Sequence, residues 1–157
     1  MITVGNLKHR LKMIAQIEED ISSQRERYER LHNKMIDIGS PELTDMPRNP
    51  SPEYDHLSDM IDLLGEIESY IKEQTERVRS ERAWVERVLA RLSSPNEKII
   101  IRSKYIDKDK WEDILFTLYG GEKDYLERED TYVRRMYRTH GNALDHMRDV
   151  IVKENMW

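Results

Sequence analysis

Two long stretches of the sequence place apolar residues seven apart, which restricts each stretch to a helix that buries one narrow face. The first stretch covers residues 4–38, and no glycine or proline interrupts it after residue 5. Its seven-residue repeat consists of Leu7, Ile14, Ile21, Tyr28 and Met35. A second series, with Gln24 as its polar member, interleaves with the first in steps of three and four residues. This alternation is typical of a coiled coil.

The second stretch, residues 55–92, repeats the same spacing. Its members are Leu57, Leu64, Ile71, Val78, Val85 and Leu92. Two such helices joined by one loop most simply fold back on each other, so we predict an antiparallel coiled-coil hairpin over residues 1–93. A polar layer that pairs Gln24 with Gln74 would fix its register. Residues 39–54 hold four of the five prolines in the chain and are predicted to form the loop.

A hairpin of two helices buries only one stripe on each and is marginally stable alone. It therefore needs either the C-terminal part of the chain or a second hairpin to pack against. The second arrangement would be a four-helix bundle, and we expect this protein to be a homodimer.

Residues 94–157 are predicted to form a small, separate helical domain. Two capping boxes, at residues 94–97 and 109–112, each predict the start of a helix. Gly120 and Gly121 end the second helix, and a polar insertion at 120–129 precedes the last one, which is capped by Asp130 or Thr131 and extends towards Lys153. Its predicted buried side consists of Val133, Met136, His140, Leu144, Met147 and Ile151. The predicted fold class is therefore all-α.

The composition narrows the classes of protein that the chain can belong to. Charged residues make up 36%, against about 25% in an ordinary globular domain, which fits long solvated helices. Cysteine is absent, which excludes disulfides and thiolate metal sites. We expect no signal peptide and no membrane span, and hence a cytoplasmic location. Because the net charge is −5, a contact with nucleic acid requires a local cationic surface.

Such a surface is predicted on the last helix, opposite its buried stripe. It consists of Thr131, Arg134, Arg135, Arg138 and Asn142, with Tyr132 and Tyr137 beside it. Arginine binds phosphates and guanine edges, asparagine binds adenine, and the hydroxyl groups bind phosphates. These seven residues are our candidates for DNA binding. A solvated basic face, paired with Glu127, Glu129 and Asp130, explains the same pattern without any ligand.

Four segments of the C-terminal part resemble phage late-transcription regulators of the RinA and ArpU type. They are SPNEK at 94–98, IRSKYID at 101–107, WEDI at 111–114 and YVRRMYRTHGNAL at 132–144. The N-terminal half, with TDMP at 44–47 between its helices, is similar to an uncharacterised phage domain found with this C-terminus. The similarity spans nearly the whole chain.

The resemblance implies a sigma-factor-like helix-turn-helix that binds double-stranded DNA and contacts RNA polymerase or another protein of a bacterial host. The helix from Trp111 would position the domain, and the helix from Thr131 would read the DNA, with His140 also facing or flanking it. A helix-turn-helix usually has a turn of three or four residues. Here the insertion at 120–129 is longer. An alternative is therefore a degenerate helix-turn-helix that contacts a protein instead of DNA.

A second hypothesis is a helical adaptor or inhibitor that binds a host protein through the hairpin. Trp84 lies off the apolar seam and would be its partner contact. Catalysis is not expected, since the sequence holds no phosphate-binding glycine loop and no nucleophile motif, and the five histidines lack metal-ligand spacing. We therefore expect no metal site and no cofactor.

Overall fold

Helices make up most of the chain that the structure, a computed structural model, describes, namely residues 1–39 and 52–157. They are α1 (Val4–Gly39), α2 (Pro52–Leu89), α3 (Pro95–Ile101), α4 (Trp111–Tyr119) and α5 (Glu129–Glu154), and a π-helical turn (Arg102–Asp107) follows α3 directly. The described residues contain no strand. The predicted all-α class, with its long N-terminal hairpin, is confirmed.

Both ends of the predicted loop at 39–54 belong to helices in the structure. Gly39 ends α1, and residues 52–54 already belong to α2, where Pro52 takes the first helical position. Proline suits that position because its missing N–H would have no partner inside the helix. Residues 40–51 lie outside the described part of the chain.

Polar contacts between α1 and α2 show that the two helices run antiparallel. Arg10 donates two hydrogen bonds to the carboxylate of Glu81, at 2.8 and 3.1 Å. The hydroxyl group of Tyr70 donates to Asp20 at 2.6 Å. Gln24, four residues beyond Asp20, is therefore level with residue 66 and about 12 Å from the level of Gln74. The predicted polar layer of Gln24 and Gln74 is wrong.

The chain divides into two units, which we call the terminal unit (residues 1–16 and 79–157) and the middle unit (residues 17–78). This division differs from the predicted one at residue 93. The reason is that the first turns of α1 and the last turns of α2 pack in one core with the C-terminal helices. In that core, Leu7, Leu11 and Ile14 of α1 are completely buried.

The middle unit consists of the remaining parts of α1 and α2. Among its side chains that the structure describes, the buried ones are Ile21, Met60, Leu64, Ile67 and Val78. Ile17, Tyr28, Leu31 and Met35, apolar seam positions of α1, are only half-buried. The seam of the middle unit is therefore covered less completely than that of the terminal unit.

The start of α3 follows from its sequence, whereas the starts of α4 and α5 do not. Ser94 caps α3, and its Oγ accepts a hydrogen bond from the backbone N–H of Glu97 at 3.4 Å. The residue before α4 is Lys110 rather than Asp109, and the residue before α5 is Arg128 rather than Asp130 or Thr131. Neither Lys110 nor Arg128 makes a side-chain capping hydrogen bond.

The C-terminal helices enclose an apolar core under α5. Its buried members are Ile100, Ile114, Leu115, Tyr119, Tyr132 and Met136. Further along α5, Ala143, Leu144, Met147 and Ile151 continue the buried side. This packing fixes the rotation of α5 about its own axis, and thus the residues that it presents to solvent.

Candidate nucleic-acid interface

The side of α5 that faces away from the core carries most of the predicted DNA-binding residues. Thr131, Arg134, Arg135, Arg138 and Asn142 are all exposed, and we call them the arginine face. The face extends for about 16 Å along the helix, at 1.5 Å per residue. An exposed helix with this length of polar surface fits the major groove of duplex DNA.

The arginines of this face are not neutralised by carboxylates. Within residues 1–39 and 52–157, none of Arg134, Arg135 and Arg138 forms an ion pair. The guanidinium group of Arg135 lies 5.6 Å from the centre of the Tyr119 ring, which orients it without adding negative charge. The predicted alternative, pairing with Glu127, Glu129 and Asp130, is therefore not observed.

In the connection between α4 and α5, the carboxylate of Asp124 forms hydrogen bonds to nearby residues of the same segment and of the first turn of α5. Asp124 accepts hydrogen bonds from the Tyr132 hydroxyl group at 2.6 Å and from Arg128 at 3.2 Å. Donation from Tyr132, and then from Arg128, lowers the pKa of Asp124 below its usual value. The connection covers residues 120–128. It begins at Gly120, where the Cβ of any other residue would lie only 2.5 Å from the backbone oxygen of Phe116. Asp124 therefore stabilises the start of α5 and leaves the arginine face uncovered.

Tyr132 is not part of the exposed surface, contrary to the prediction that it binds DNA. Its side chain is 8% exposed, and its ring stacks on that of Tyr119 at 5.0 Å. The hydrogen bond to Asp124 raises the pKa of its hydroxyl group. A side chain held in the core by these contacts cannot reach a nucleic acid, so its role is to anchor the first turn of α5.

His140 is also buried, at 7% exposed, so the expectation that it flanks DNA is wrong and its assignment to the buried stripe is correct. The hydroxyl group of Tyr105 lies 3.0 Å from its Nε2. Burial lowers the pKa of His140 to about 4, with further contributions from Lys8 and Lys104. Burial also raises the pKa of Tyr105 to about 12. At neutral pH the imidazole is therefore uncharged and the hydroxyl group keeps its proton, so Tyr105 can donate a hydrogen bond to Nε2 of His140.

Tyr137 lies at the edge of the arginine face and connects it to a neighbouring element. It is 48% exposed, and its ring lies 5.1 Å from that of Trp111 at the start of α4. The Nζ of Lys104, in the π-helical turn, is 4.7 Å from the centre of the Trp111 ring. Trp111 and Lys104 were not among the residues predicted to bind DNA. The sequence does contain a signal for Lys104, because a lysine within the apolar run from Ile99 to Ile106 is unusual for a purely structural segment.

Trp84, the predicted partner contact, is enclosed by its own chain. It is 4% exposed, and its Nε1 donates to the backbone oxygen of Met156 at 2.6 Å. The guanidinium group of Arg10 lies 3.7 Å from the centre of its ring, and Trp157 packs edge-on against it at 6.1 Å. This burial argues against Trp84 as a contact for a host protein.

The structure and the comparisons add three negative findings. In the described ranges, no group of three or more histidine or acidic side chains is arranged to hold a metal ion. No helix within these ranges combines the length and the apolar character needed to cross a bilayer. Comparison with protein-family models, with curated proteins and with solved structures gives no match for this chain.

Proposed function

We propose that this protein is a phage-type transcription regulator that binds double-stranded DNA through the arginine face of α5. The observation that carries the proposal is that Arg134, Arg135 and Arg138 are exposed and free of ion pairs within the described chain. Three unneutralised cations along one helix side make a local positive surface on an acidic protein. The resemblance to the RinA and ArpU type supports a role in transcription, in the cytoplasm of a bacterial host and in contact with RNA polymerase or another host protein.

The role of each residue in this proposal follows from its position. Arg134, Arg138 and Asn142 occupy successive turns on the centre of the exposed side and would reach base edges or phosphates. Thr131 and Arg135 flank them and would bind phosphates, which fix the position of a protein on the duplex. Tyr137 would contact the backbone from the edge. The proposed activity is binding, with no catalytic residue, metal or cofactor.

The salt dependence of DNA binding tests the proposal directly. A fluorescein-labelled DNA duplex of mixed sequence is titrated with the protein at several salt concentrations, and fluorescence anisotropy gives the affinity. Each phosphate that a cation neutralises contributes roughly 0.9 to the slope of log affinity against log salt. Replacing Arg134 and Arg138 together by Gln should therefore flatten the slope by about two.

A matched control separates a local contact from a change in total charge. Arg25 and Arg27 are exposed on α1, and their joint replacement by Gln removes the same charge from the middle unit. We expect this double variant to retain the wild-type slope. Equal flattening in both double variants, or a wild-type protein that does not bind duplex DNA, would refute the proposal.

We further propose that the protein forms a homodimer through the middle unit. The supporting observation is that Tyr28, Leu31 and Met35 are half-buried at seam positions, while Ile61 is 54% exposed. A second hairpin would cover such a seam in a four-helix bundle. Sedimentation equilibrium should give twice the chain mass, and Leu31→Asp should give the mass of one chain. A wild-type protein that stays monomeric at high concentration contradicts this proposal and leaves that of DNA binding intact.

A further inference from the structure

Lys104 places an unneutralised positive charge close to the arginine face. Its Nζ donates a hydrogen bond to the backbone oxygen of Asp109 at 3.4 Å and lies over the Trp111 ring. Neither contact supplies a formal negative charge. In the part of the chain that the structure describes, Lys104 forms no ion pair, although Asp107 and Asp109 lie in the same segment.

Lys104 lies in the π-helical turn, at the border of the core. The turn from Arg102 to Asp107 is wider than an α-helix, with a hydrogen bond between residues five apart. Tyr105, four residues after the completely buried Ile101, occupies the core, where it is 5% exposed. Lys104 is half-buried beside it and packs against Trp111.

A continuous series of contacts leads from Lys104 to the arginine face. Trp111 lies under its Nζ, and the ring of Tyr137 lies 5.1 Å beyond that of Trp111. Tyr137 precedes Arg138 and lies three residues after Arg134, so it borders the arginine face on this side. Two aromatic rings in contact therefore lie between the lysine and the edge of the arginine face.

The electrostatics of His140 support a positive potential in this region. After burial, the charges of Lys8 and then Lys104 are the causes that lower its pKa. These lysines belong to α1 and to the π-helical turn, so two elements besides α5 contribute cations here. Like charges that share a region without counter-charges destabilise the folded chain, and an anionic ligand removes that repulsion.

We infer that Lys104 contacts a backbone phosphate of the same duplex that the arginine face binds, so that the interface extends from α5 onto the π-helical turn. The inference rests on the proposed function, since it assigns a further contact to the same ligand. Lysine is suited to this role because its ammonium group is a compact charge with three donors. Contacts to phosphates, rather than to bases, make up half or more of the hydrogen bonds in protein–DNA complexes.

The salt titration with the labelled mixed-sequence duplex tests this contact. Lys104→Gln should flatten the slope by about 0.9 and weaken binding at about 0.1 M salt severalfold. Lys104→Arg keeps the charge and should keep the slope of the wild type. The matched control is Lys72→Gln, which removes the same charge from an exposed position in the middle unit and should leave the slope unchanged.

The possible outcomes separate this inference from the proposed function. If the double arginine variant flattens the slope but Lys104→Gln behaves like Lys72→Gln, the contact from the π-helical turn is refuted and DNA binding by α5 stands. If the wild-type protein does not bind the duplex, the proposed function fails and this contact with it. A loss of packing at Lys104 alone would lower the melting temperature without changing the slope, and that result also refutes the contact.

Discussion

The two units of the molecule share the same pair of helices and the same seven-residue repeat, yet their seams are buried to different degrees. In the terminal unit, Leu11, Val85 and Val88 are completely buried. In the middle unit, Leu31 and Met35 occupy the same kind of position and are half-buried. The difference teaches that a heptad repeat determines which side of a helix is apolar, whereas the elements packed against that side determine how much of it is buried.

The terminal unit owes its burial to the C-terminal helices. Arg102 of the π-helical turn forms a bidentate ion pair with Glu86 of α2: its Nε and Nη2 donate to the two carboxylate oxygens at 2.9 and 2.7 Å. Near the end of α5, Glu154 pairs with Arg91 at 3.0 Å. These contacts accompany an extra helical layer over α1 and α2. The middle unit has no such layer within the described chain.

The largest expected effect comes from matched truncations in the two seams. Leu11→Ala removes a fully buried side chain and should destabilise the fold by about 3 kcal/mol, whereas Leu31→Ala should cost about 1 kcal/mol in dilute solution, where the proposed dimer is dissociated. Urea unfolding measures both. All three tryptophans belong to the terminal unit, so their fluorescence reports on that unit while circular dichroism reports on both. Equal losses at the two positions would remove the proposed difference between the seams.

Acid should destabilise the terminal unit through His140. Its folded pKa of about 4 lies below the unfolded value near 6.5, so the stability it contributes is complete above pH 6.5 and is lost as the pH falls towards 4. Between pH 7 and pH 5 the loss should be about 2 kcal/mol. Urea unfolding followed by tryptophan fluorescence at the two pH values measures it.

His140→Gln provides the control for this pH effect. The amide oxygen still accepts a hydrogen bond from Tyr105, but the side chain does not ionise. The variant should lose most of the difference in stability between pH 7 and pH 5. A variant as sensitive to acid as the wild type would show that other groups cause the loss.

A smaller effect is expected from two tyrosines that make the same hydrogen bond in different surroundings. Tyr132 in the terminal unit and Tyr70 in the middle unit each donate to an aspartate at 2.6 Å, but Tyr132 is buried and Tyr70 is exposed. Tyr132→Phe should lower the melting temperature by about 2–4 °C, and Tyr70→Phe by less than about 1 °C. Tyr132→Phe should also leave the salt slope of DNA binding unchanged. A flatter slope of log affinity against log salt would show that Tyr132 belongs to the DNA interface.

The smallest expected effect involves His146, which lies on the same helix as His140. Its Nδ1 lies 2.9 Å from the carboxylate of the buried Glu97, and that hydrogen bond raises its pKa. The stability from this pair is therefore complete below pH 6.5 and is lost as the pH rises through the folded pKa. Because the imidazole is exposed, His146→Gln should lower the melting temperature by only about 1 °C at pH 6. The difference between the variant and the wild type should shrink as the pH rises through the folded pKa of His146; a constant difference would indicate a contact that does not depend on ionisation.

The helices of the hairpin could be predicted closely because their pattern repeats many times. The first was predicted over residues 4–38 and is observed over Val4–Gly39. The starts of α4 and α5 were harder to predict because each depends on one residue, and neither is capped by a side chain. The apolar side of an amphipathic helix thus follows from its repeated pattern more readily than the residue at which the helix begins.

The arginine face could be predicted because exposure on a helix follows from its 3.6-residue period. Tyr132 shows where the prediction went wrong. It lies four residues before the buried Met136, which places it on the buried side, but it was predicted to bind DNA because it flanks the arginines in the sequence. The environment of Trp84 could not be derived from local pattern, because its partners, Arg10 and Met156, are more than seventy residues away in the sequence.

The association of Trp84 with Trp157 gives the protein an intrinsic optical reporter. Their indole rings lie 6.1 Å apart and nearly perpendicular, with a guanidinium group close to both. Two chromophores at this separation couple their electronic transitions, and the coupling gives a paired positive and negative band in a circular dichroism spectrum. Detachment of the last residues from α2 would abolish that band without any label, so docking of the chain's end can be followed in the unmodified molecule.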